Sequence, residues 1–333
     1  MFGYLVRRIA TSLAILFAVS FAVYAIFALL PFDPAALTCG KNCNNPAIIE
    51  ANRIRLGYDI PFWQQYLVFL GGLFVGRNYS EGAAAIHCPA PSLGYSFNEH
   101  ECVTTLIVRA LPVTASLAIG AMILWLIVGI TLGVVAARFR GRSADTASTI
   151  FVLIGTSLPT FLTGLLLLVF VVIKWRIIPF PSGNYTPILE NPLEWAQILF
   201  LPWITLAFAS AALYTRFVRN AVIETLSEDY IRTARAKGLS EKVVLRKHTL
   251  RAALAPIATM AGLDFAALLG GAILTEKVFN LPGLGRLSLG AVVEYDLPII
   301  VGATLLSAVI VITMNLLVDV FYAFIDPRVR VAS

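Results

Sequence analysis

Four cysteines, Cys39, Cys43, Cys88 and Cys102, and two of the three histidines, His87 and His100, fall in one polar stretch from Pro31 to Cys102. Thiols and imidazoles this close together can do two kinds of chemistry. They can pair as disulfides if the stretch faces an oxidising exterior, or they can hold a metal. Four cysteines allow three pairings, and the favoured one is local, Cys39 with Cys43 and Cys88 with Cys102. The groups His87-Cys88 and His100-Glu101-Cys102 keep a metal site open, although their spacing matches no standard zinc pattern. The remaining histidine, His248, lies far along the chain in a basic segment. These residues assemble neither a Ser/His/Asp arrangement nor an HExxH helix, and the phosphate-binding pattern GxxxxGK[ST] does not occur. The sequence therefore offers no catalytic constellation. If ATP drives this protein, another chain must bind it.

One carboxylate has an unusual position. Asp264 stands inside a long apolar run, where an ionised group costs about 2.5–3.5 kcal/mol on insertion scales. It must face protein or a water-filled path. Two readings stand side by side: Asp264 lines a translocation route and meets a substrate amine, or it makes a satisfied polar contact with a partner helix bundle. Asp319 lies nearer a membrane surface and reads as structural. Glu276 and Arg286 lie on an outer segment, where they either touch a docked binding protein or, the ordinary reading, are surface charge.

The elements that position these groups are membrane helices. Of the 333 residues, 59% are hydrophobic and 13% charged, more apolar surface than a water-soluble domain can hide. Six spans are predicted: Ile9–Leu30, Leu111–Ala137, Ala147–Ile173, Ile198–Phe217, Ala252–Thr275 and Ile299–Phe324. Ser157-Leu-Pro159 should kink the third. Gly129 and Gly133 form a GxxxG pair in the second, which either permits close helix packing or is an ordinary feature of a membrane helix. Tyr58 to Phe74 is aromatic and amphipathic and should lie along the interface. The net charge of +6 does not point to nucleic acid, because 16 of the 25 Lys and Arg residues fall on one side of the membrane and eight on the other. That bias places both termini in the cytoplasm and the Pro31 to Cys102 loop outside.

The longest ordered polar interruption runs from Ser227 to Pro256, and nine of the basic residues lie between Arg216 and Arg251. The stretch reads as two short helices. Ser227 is expected as an N-cap, with Glu228 and Asp229 in the first turn, Arg235 and Lys237 in the last, and Gly238 as the C′ residue. Ser240 restarts a helix. Tyr230, Ile231, Ala234, Leu239, Val243 and Val244 supply apolar surface. Spacing alone leaves a solvated loop and a docking element equally open.

The segment Tyr230-Ile-Arg-Thr-Ala-Arg-Ala-Lys-Gly-Leu-Ser-Glu241 resembles the EAA loop of ABC-importer membrane subunits, in the form found in dipeptide, oligopeptide and nickel importers. Arg232, Thr233 and Ala234 occupy the EAA triplet, with Arg232 in place of the generic glutamate, and Gly238 is the loop glycine. Further matches are Leu56 to Gly76, Ser157-Leu-Pro-Thr-Phe161, Ile178 to Gly183, Glu276 to Arg286, Asn315 to Asp319 and Asp326 to Arg330. The stretch from about Asn78 to Leu93 looks like an insertion relative to the family.

The resemblance implies an all-α integral membrane protein with the type I importer permease fold, a single domain over 1–333. It implies the first of two different permeases, working with two ATP-binding subunits and an extracytoplasmic binding protein, in the bacterial inner membrane. ATP and Mg would sit in the partner subunits and no cofactor in this chain. The coupling residues would be Tyr230, Ile231, Arg232, Thr233, Ala234, Arg235, Ala236, Lys237, Gly238 and Leu239. Short peptides are the expected cargo. Nickel is the alternative, although the spans carry no histidine suited to a metal path. A secondary transporter would need further intramembrane charges and an internal repeat. A membrane scaffold would use the cysteine-rich outer loop instead.

Overall fold

The computed structural model describes residues 2–28, 46–56, 59–81, 84–177 and 185–325. Cys39, Cys43, the whole Ile178 to Gly183 match, the Asp319 side chain and Asp326 to Arg330 lie outside what is described. The described helices are α1 (Phe2–Ala28), α2 (Pro46–Leu56), α3 (Phe62–Val75), α4 (Val103–Arg138), α5 (Ser143–Ser157), α6 (Thr160–Leu167), α7 (Pro192–Leu226), α8 (Asp229–Ala236), α9 (Glu241–Val243), α10 (Leu250–Leu269), α11 (Ile273–Val278), α12 (Leu284–Val293) and α13 (Leu297–Ile325). Wider π turns extend α6 through Leu168–Lys174 and join α9 to α10 through Val244–Thr249. Among the described residues four strands, β1 (Arg77–Glu81), β2 (Ala84–Cys88), β3 (Tyr95–Ser96) and β4 (Glu101–Cys102), make two antiparallel ribbons.

Among the described residues, four helices are long and apolar enough to cross a membrane by themselves, and the count is six if each of two bent pairs is one span. The break in the third span is sharper than a kink. Leu158, held extended before Pro159, ends α5, and the chain turns by 99° into α6. Proline removes a helical N–H donor and its ring excludes the preceding residue from the helical region. By contrast Pro112 and Pro202 sit inside α4 and α7 without ending them, and Pro256 sits inside α10 at the milder bend of the second pair, 46°. The start of α7 is specified locally: the Asn191 side chain accepts from the Glu194 amide at 3.2 Å, and Pro192 occupies the first turn.

The chain divides into two compact units. The first takes residues 1–114, 269–273 and 282–313. In it, α1 and α3 meet through an aromatic cluster in which Phe21 and Tyr24 pack on Phe62 and Tyr66, and the Ser20 and Tyr66 hydroxyls share a hydrogen bond of 2.8 Å. The predicted interfacial segment is thus a helix docked on the first span, with Trp63 and Phe74 left exposed. The stretch that looked like an insertion folds as the hairpin β1–β2, with Asn78 opposite His87. A disulfide from Cys88 to Cys102 staples it to the start of α4. Val103, Leu106, Ile107 and Ala110 pack with Leu284, Ala291 and Ile299. Thr114 Oγ1 accepts from the Leu284 amide at 2.8 Å, which holds the start of α12.

The second unit takes residues 115–268, 274–281 and 314–333. There α5 and α7 cross closely at Gly155, where an added Cβ would lie 2.5 Å from that of Ala212, and Phe151 meets Phe208 edge-on at 5.6 Å. The GxxxG pair is a packing device. A Cβ at Gly129 would lie 2.6 Å from the Tyr214 Cβ, and one at Gly133 would lie 2.6 Å from the Val218 Cβ. These glycines let α7 seat against α4 at backbone distance.

Candidate functional site

Two features of the second unit bear on function. The first is the segment between α7 and α10. The Ser227 hydroxyl donates to the Glu224 carbonyl at 2.6 Å, so Ser227 closes α7 and does not cap α8. The expected N-cap is corrected by one residue. Glu228, with extended backbone, precedes α8, and its side chain makes no capping bond. Asp229 in the first turn and Arg235 in the last still match the helix dipole.

The far end of α8 is built as the sequence suggests. Gly238 has φ +78°, in the left-handed region. Its amide donates to the Arg235 carbonyl at 2.9 Å, and the Leu239 amide reaches back to Ala234 at 3.4 Å. This pair of bonds is the Schellman closure that a glycine at C′ permits. Arg235 then clasps Glu241 with Nε and Nη2 at 2.7 and 3.2 Å, tying α8 to α9 across the turn. Ile231, Ala234 and Val244 form a small core, with Leu226 against it.

The segment is therefore a folded helix-turn-helix with its own apolar centre. Of the ten residues expected to couple, Ile231 and Ala234 face inward. Tyr230, Arg232, Thr233, Arg235, Ala236, Lys237, Gly238 and Leu239 are exposed. Partial burial, then the Glu228 carboxylate, push the Tyr230 phenol above its ordinary range. Nearby, Asp145 receives Arg219 Nε at 2.7 Å and Nη2 at 2.9 Å. This pair ties the start of α5 to α7. No local pattern marks it, because 74 residues separate the partners.

The second feature is Asp264, exposed on α10 and accepting a 2.6 Å hydrogen bond from the Tyr214 hydroxyl of α7. This contact lies within the chain, whereas the alternative considered from sequence is a contact with a partner helix bundle. Tyr214 is 1% exposed and packs beside Trp125 at 6.0 Å and Phe217 at 6.4 Å. Sequence reasoning missed Tyr214, although it lies twelve residues before the end of α7, a depth of about 18 Å along a helix.

The outer candidates separate. Cys88 and Cys102 are bonded to one another, so the metal reading of their two groups loses both thiols. His87 Nδ1 lies 2.6 Å from Asn78 Oδ1 across the hairpin. Among the described residues, no group of three or more His, Cys, Asp or Glu is placed to hold a metal. Glu276 is not surface charge. It is 0% exposed in α11, and Arg286 is half-buried. Asp296, just before α13, is 3% exposed and accepts from the Ser96 hydroxyl and, at 3.3 Å, from the Ile299 amide. Burial pushes its carboxyl above the ordinary range, against the effect of those bonds.

Comparison with known proteins agrees with this architecture. A solved chain of the MetNI methionine ABC transporter in an inward-facing conformation superposes with a TM-score of 0.53 at 19% identity, covering 67% of this chain and 97% of that one. At that identity the likeness shows the fold alone. A Brucella abortus protein provisionally named a peptide transport system permease is 37% identical over 98% of each chain. The glutathione transport system permease protein GsiC of Escherichia coli is 37% identical over 99% of each chain. Residues 1–118 match the N-terminal family model of binding-protein-dependent transport system membrane components, and residues 129–331 match the model of the inner membrane component itself. The chain belongs to the family of binding-protein-dependent transport system inner membrane components.

Proposed function

We propose that this chain is one of two different permeases in an ATP-driven importer that passes short peptides from an extracytoplasmic binding protein into the cytoplasm. The peptide cargo rests on the full-length similarity to permeases named for peptide and glutathione transport. The observation that carries the coupling role is the pre-folded α8–Gly238–α9 element, which presents Tyr230, Thr233, Lys237 and Leu239 to solvent from a rigid base. A surface that is already ordered loses little conformational entropy on docking.

In this reading two partner subunits bind ATP with Mg, and this chain holds no cofactor. Closure of the ATP-binding subunits displaces α8. Its buried contact with Val244 passes the displacement through the Val244–Thr249 turn into α10. Helices α7 and α10, which enter and leave the segment, then shift between inward-open and outward-open arrangements. Asp264, on α10, lines the path and meets the ammonium group of the cargo.

The test is uptake of a labelled dipeptide by the whole importer reconstituted in vesicles. Uptake should require ATP, Mg and the binding protein. Asp264→Asn should reduce it at unchanged assembly. Uptake of nickel in place of peptide would reassign the cargo, and wild-type uptake by Asp264→Asn would remove that residue from the path.

A further inference from the structure

We infer that Tyr214 is the positioning residue for Asp264, and that Gly129 sets the depth at which Tyr214 works. The inference rests on the proposal that Asp264 lines the path. The Tyr214 hydroxyl donates to one carboxylate oxygen, Oδ2, at 2.6 Å. A buried donor that holds one oxygen fixes the plane of the carboxylate and leaves the other oxygen free to receive a cation. Asp264 is exposed on its helix, while its partner is almost wholly buried. The donor is therefore part of the wall, and the acceptor is the group presented outward.

The wall itself is closely built. Trp125 on α4 and Phe217 on α7 flank the tyrosine ring at 6.0 and 6.4 Å. Gly129, one turn along α4 from Trp125, faces the Tyr214 Cβ so closely that a methyl group there would meet it at 2.6 Å. A side chain at position 129 would push α7 away and lift the hydroxyl from Asp264. The three residues thus form a series across three helices, each setting the position of the next.

The bond also has a definite place in the coupling route. Tyr214 stands on the helix that leads into the α8–α9 element and Asp264 on the helix that leads out of it. Tyr214 lies twelve residues before the end of α7 and Asp264 fourteen after the start of α10, roughly 18 and 21 Å at 1.5 Å per residue. Any displacement that moves α7 and α10 unequally acts on this hydrogen bond. Tyr214 accordingly presents Asp264 to the cargo in one arrangement of the helices. The ligand class this geometry takes is a primary or secondary ammonium group, such as the amino end of a short peptide.

The experiment uses the assembled importer in vesicles and reads two quantities together, dipeptide uptake and ATP hydrolysis stimulated by loaded binding protein. Tyr214→Phe removes only the donor. It should lower uptake roughly tenfold, the size expected of a hydrogen bond to a charged group, with hydrolysis within about twofold of wild type. Asp264→Asn should lower uptake at least as much, and Tyr214→Phe should add nothing in that background. A tyrosine that served packing alone would leave this split unmoved. As a second variant, 4-aminophenylalanine at position 214 keeps a donor on the same ring and should retain most of the uptake.

The outcomes separate the two claims. If Asp264→Asn loses uptake while Tyr214→Phe does not, or if the two losses multiply, Tyr214 has no positioning role and the path reading stands. If 4-aminophenylalanine transports no better than Asp264→Asn, the positioning role is likewise overturned. If Asp264→Asn transports normally, the path reading fails and the inference fails with it. If Asp264→Asn releases a second permease on purification, Asp264 is a subunit contact, and both claims are overturned.

Discussion

Arg235 grips both carboxylate oxygens of Glu241, at 2.7 and 3.2 Å, across the left-handed turn at Gly238. Both side chains are substantially exposed, 40% and 67%. Such a pair contributes at most about 1 kcal/mol to stability. Its importance is geometric, because it holds α8 and α9 in one relation. Arg235→Glu should therefore insert and assemble normally but uncouple uptake from ATP hydrolysis, and Arg235→Glu combined with Glu241→Arg should restore part of the uptake. Equal loss in the single and the exchanged variants would show that Arg235 acts by some contact other than Glu241.

Gly238 gives a sharper prediction. An added Cβ would meet nothing within 4 Å, so crowding within this chain forbids no side chain there. The φ of +78° does, at a cost of about 1–3 kcal/mol for an ordinary residue and more for a β-branched one. Gly238→Val should abolish transport with the chain still inserted. Gly238→Asn, which tolerates the left-handed region, should keep most of it. Vesicle uptake beside membrane yield distinguishes the two, and full activity in the valine variant would count against the coupling role.

The sequence exposed some of this plainly and hid the rest. Gly238, with cations before it and an apolar residue after it, showed the end of α8 because helix termination is a local matter. The hydrophobic runs placed the spans for the same reason. Ser227 was misread because its hydroxyl could reach forward to the next helix or back to Glu224, and only the fold settles which. Glu276 read as surface charge because burial depends on what other segments bring over it. Tyr214 and Asp264 are 50 residues apart, and nothing local marks the tyrosine as a partner. The hairpin β1–β2 was hidden by its mixed composition, although the favoured cysteine pairing included the bond from Cys88 to Cys102 that ties it to the start of α4.

Gly129→Ala tests the packing of α4 on α7. The new methyl group would meet the Tyr214 Cβ at 2.6 Å, with the Ala211 carbonyl oxygen 3.3 Å away on the same side. Overpacking of this kind costs about 1–3 kcal/mol. The purified protein should melt several degrees lower, while Gly141→Ala, a position open in space but with φ +77°, should disturb only its own loop. An unchanged melting point for Gly129→Ala would show that the two helices have slack between them.

The bond from Cys88 to Cys102 closes a 14-residue separation, for which chain entropy gives about 3 kcal/mol. Replacing both cysteines by serine should free the β1–β2 hairpin to added protease and leave the α8–α9 element untouched. The peptides released on limited digestion report this. A digestion pattern equal to wild type would show that the hairpin stands without its staple.

Asp296 gives a pH dependence of definite sign. Its folded carboxyl titrates above the ordinary aspartate value of about 4. The stability it contributes is therefore complete below that ordinary value and is lost as pH rises through the folded value. Hydrogen exchange in the Tyr95 to Cys102 ribbon, corrected for the intrinsic rate, should show more protection on mild acidification. Asp296→Asn should flatten that dependence, and an undiminished dependence in the asparagine variant would assign it to another group.

The most direct test of the account is a photo-cross-link from the exposed face of α8. Tyr230 is replaced by benzoylphenylalanine in the full chain, the complex is purified gently from its membrane after illumination, and the attached protein is identified by mass spectrometry. One dominant adduct is expected, an ATP-binding subunit with its own phosphate-binding loop, in a preparation that also contains a second permease. A chain that purifies alone, or whose adducts are lipid only, would contradict the coupling role of the α8–α9 element and with it the reading of this protein as an importer subunit.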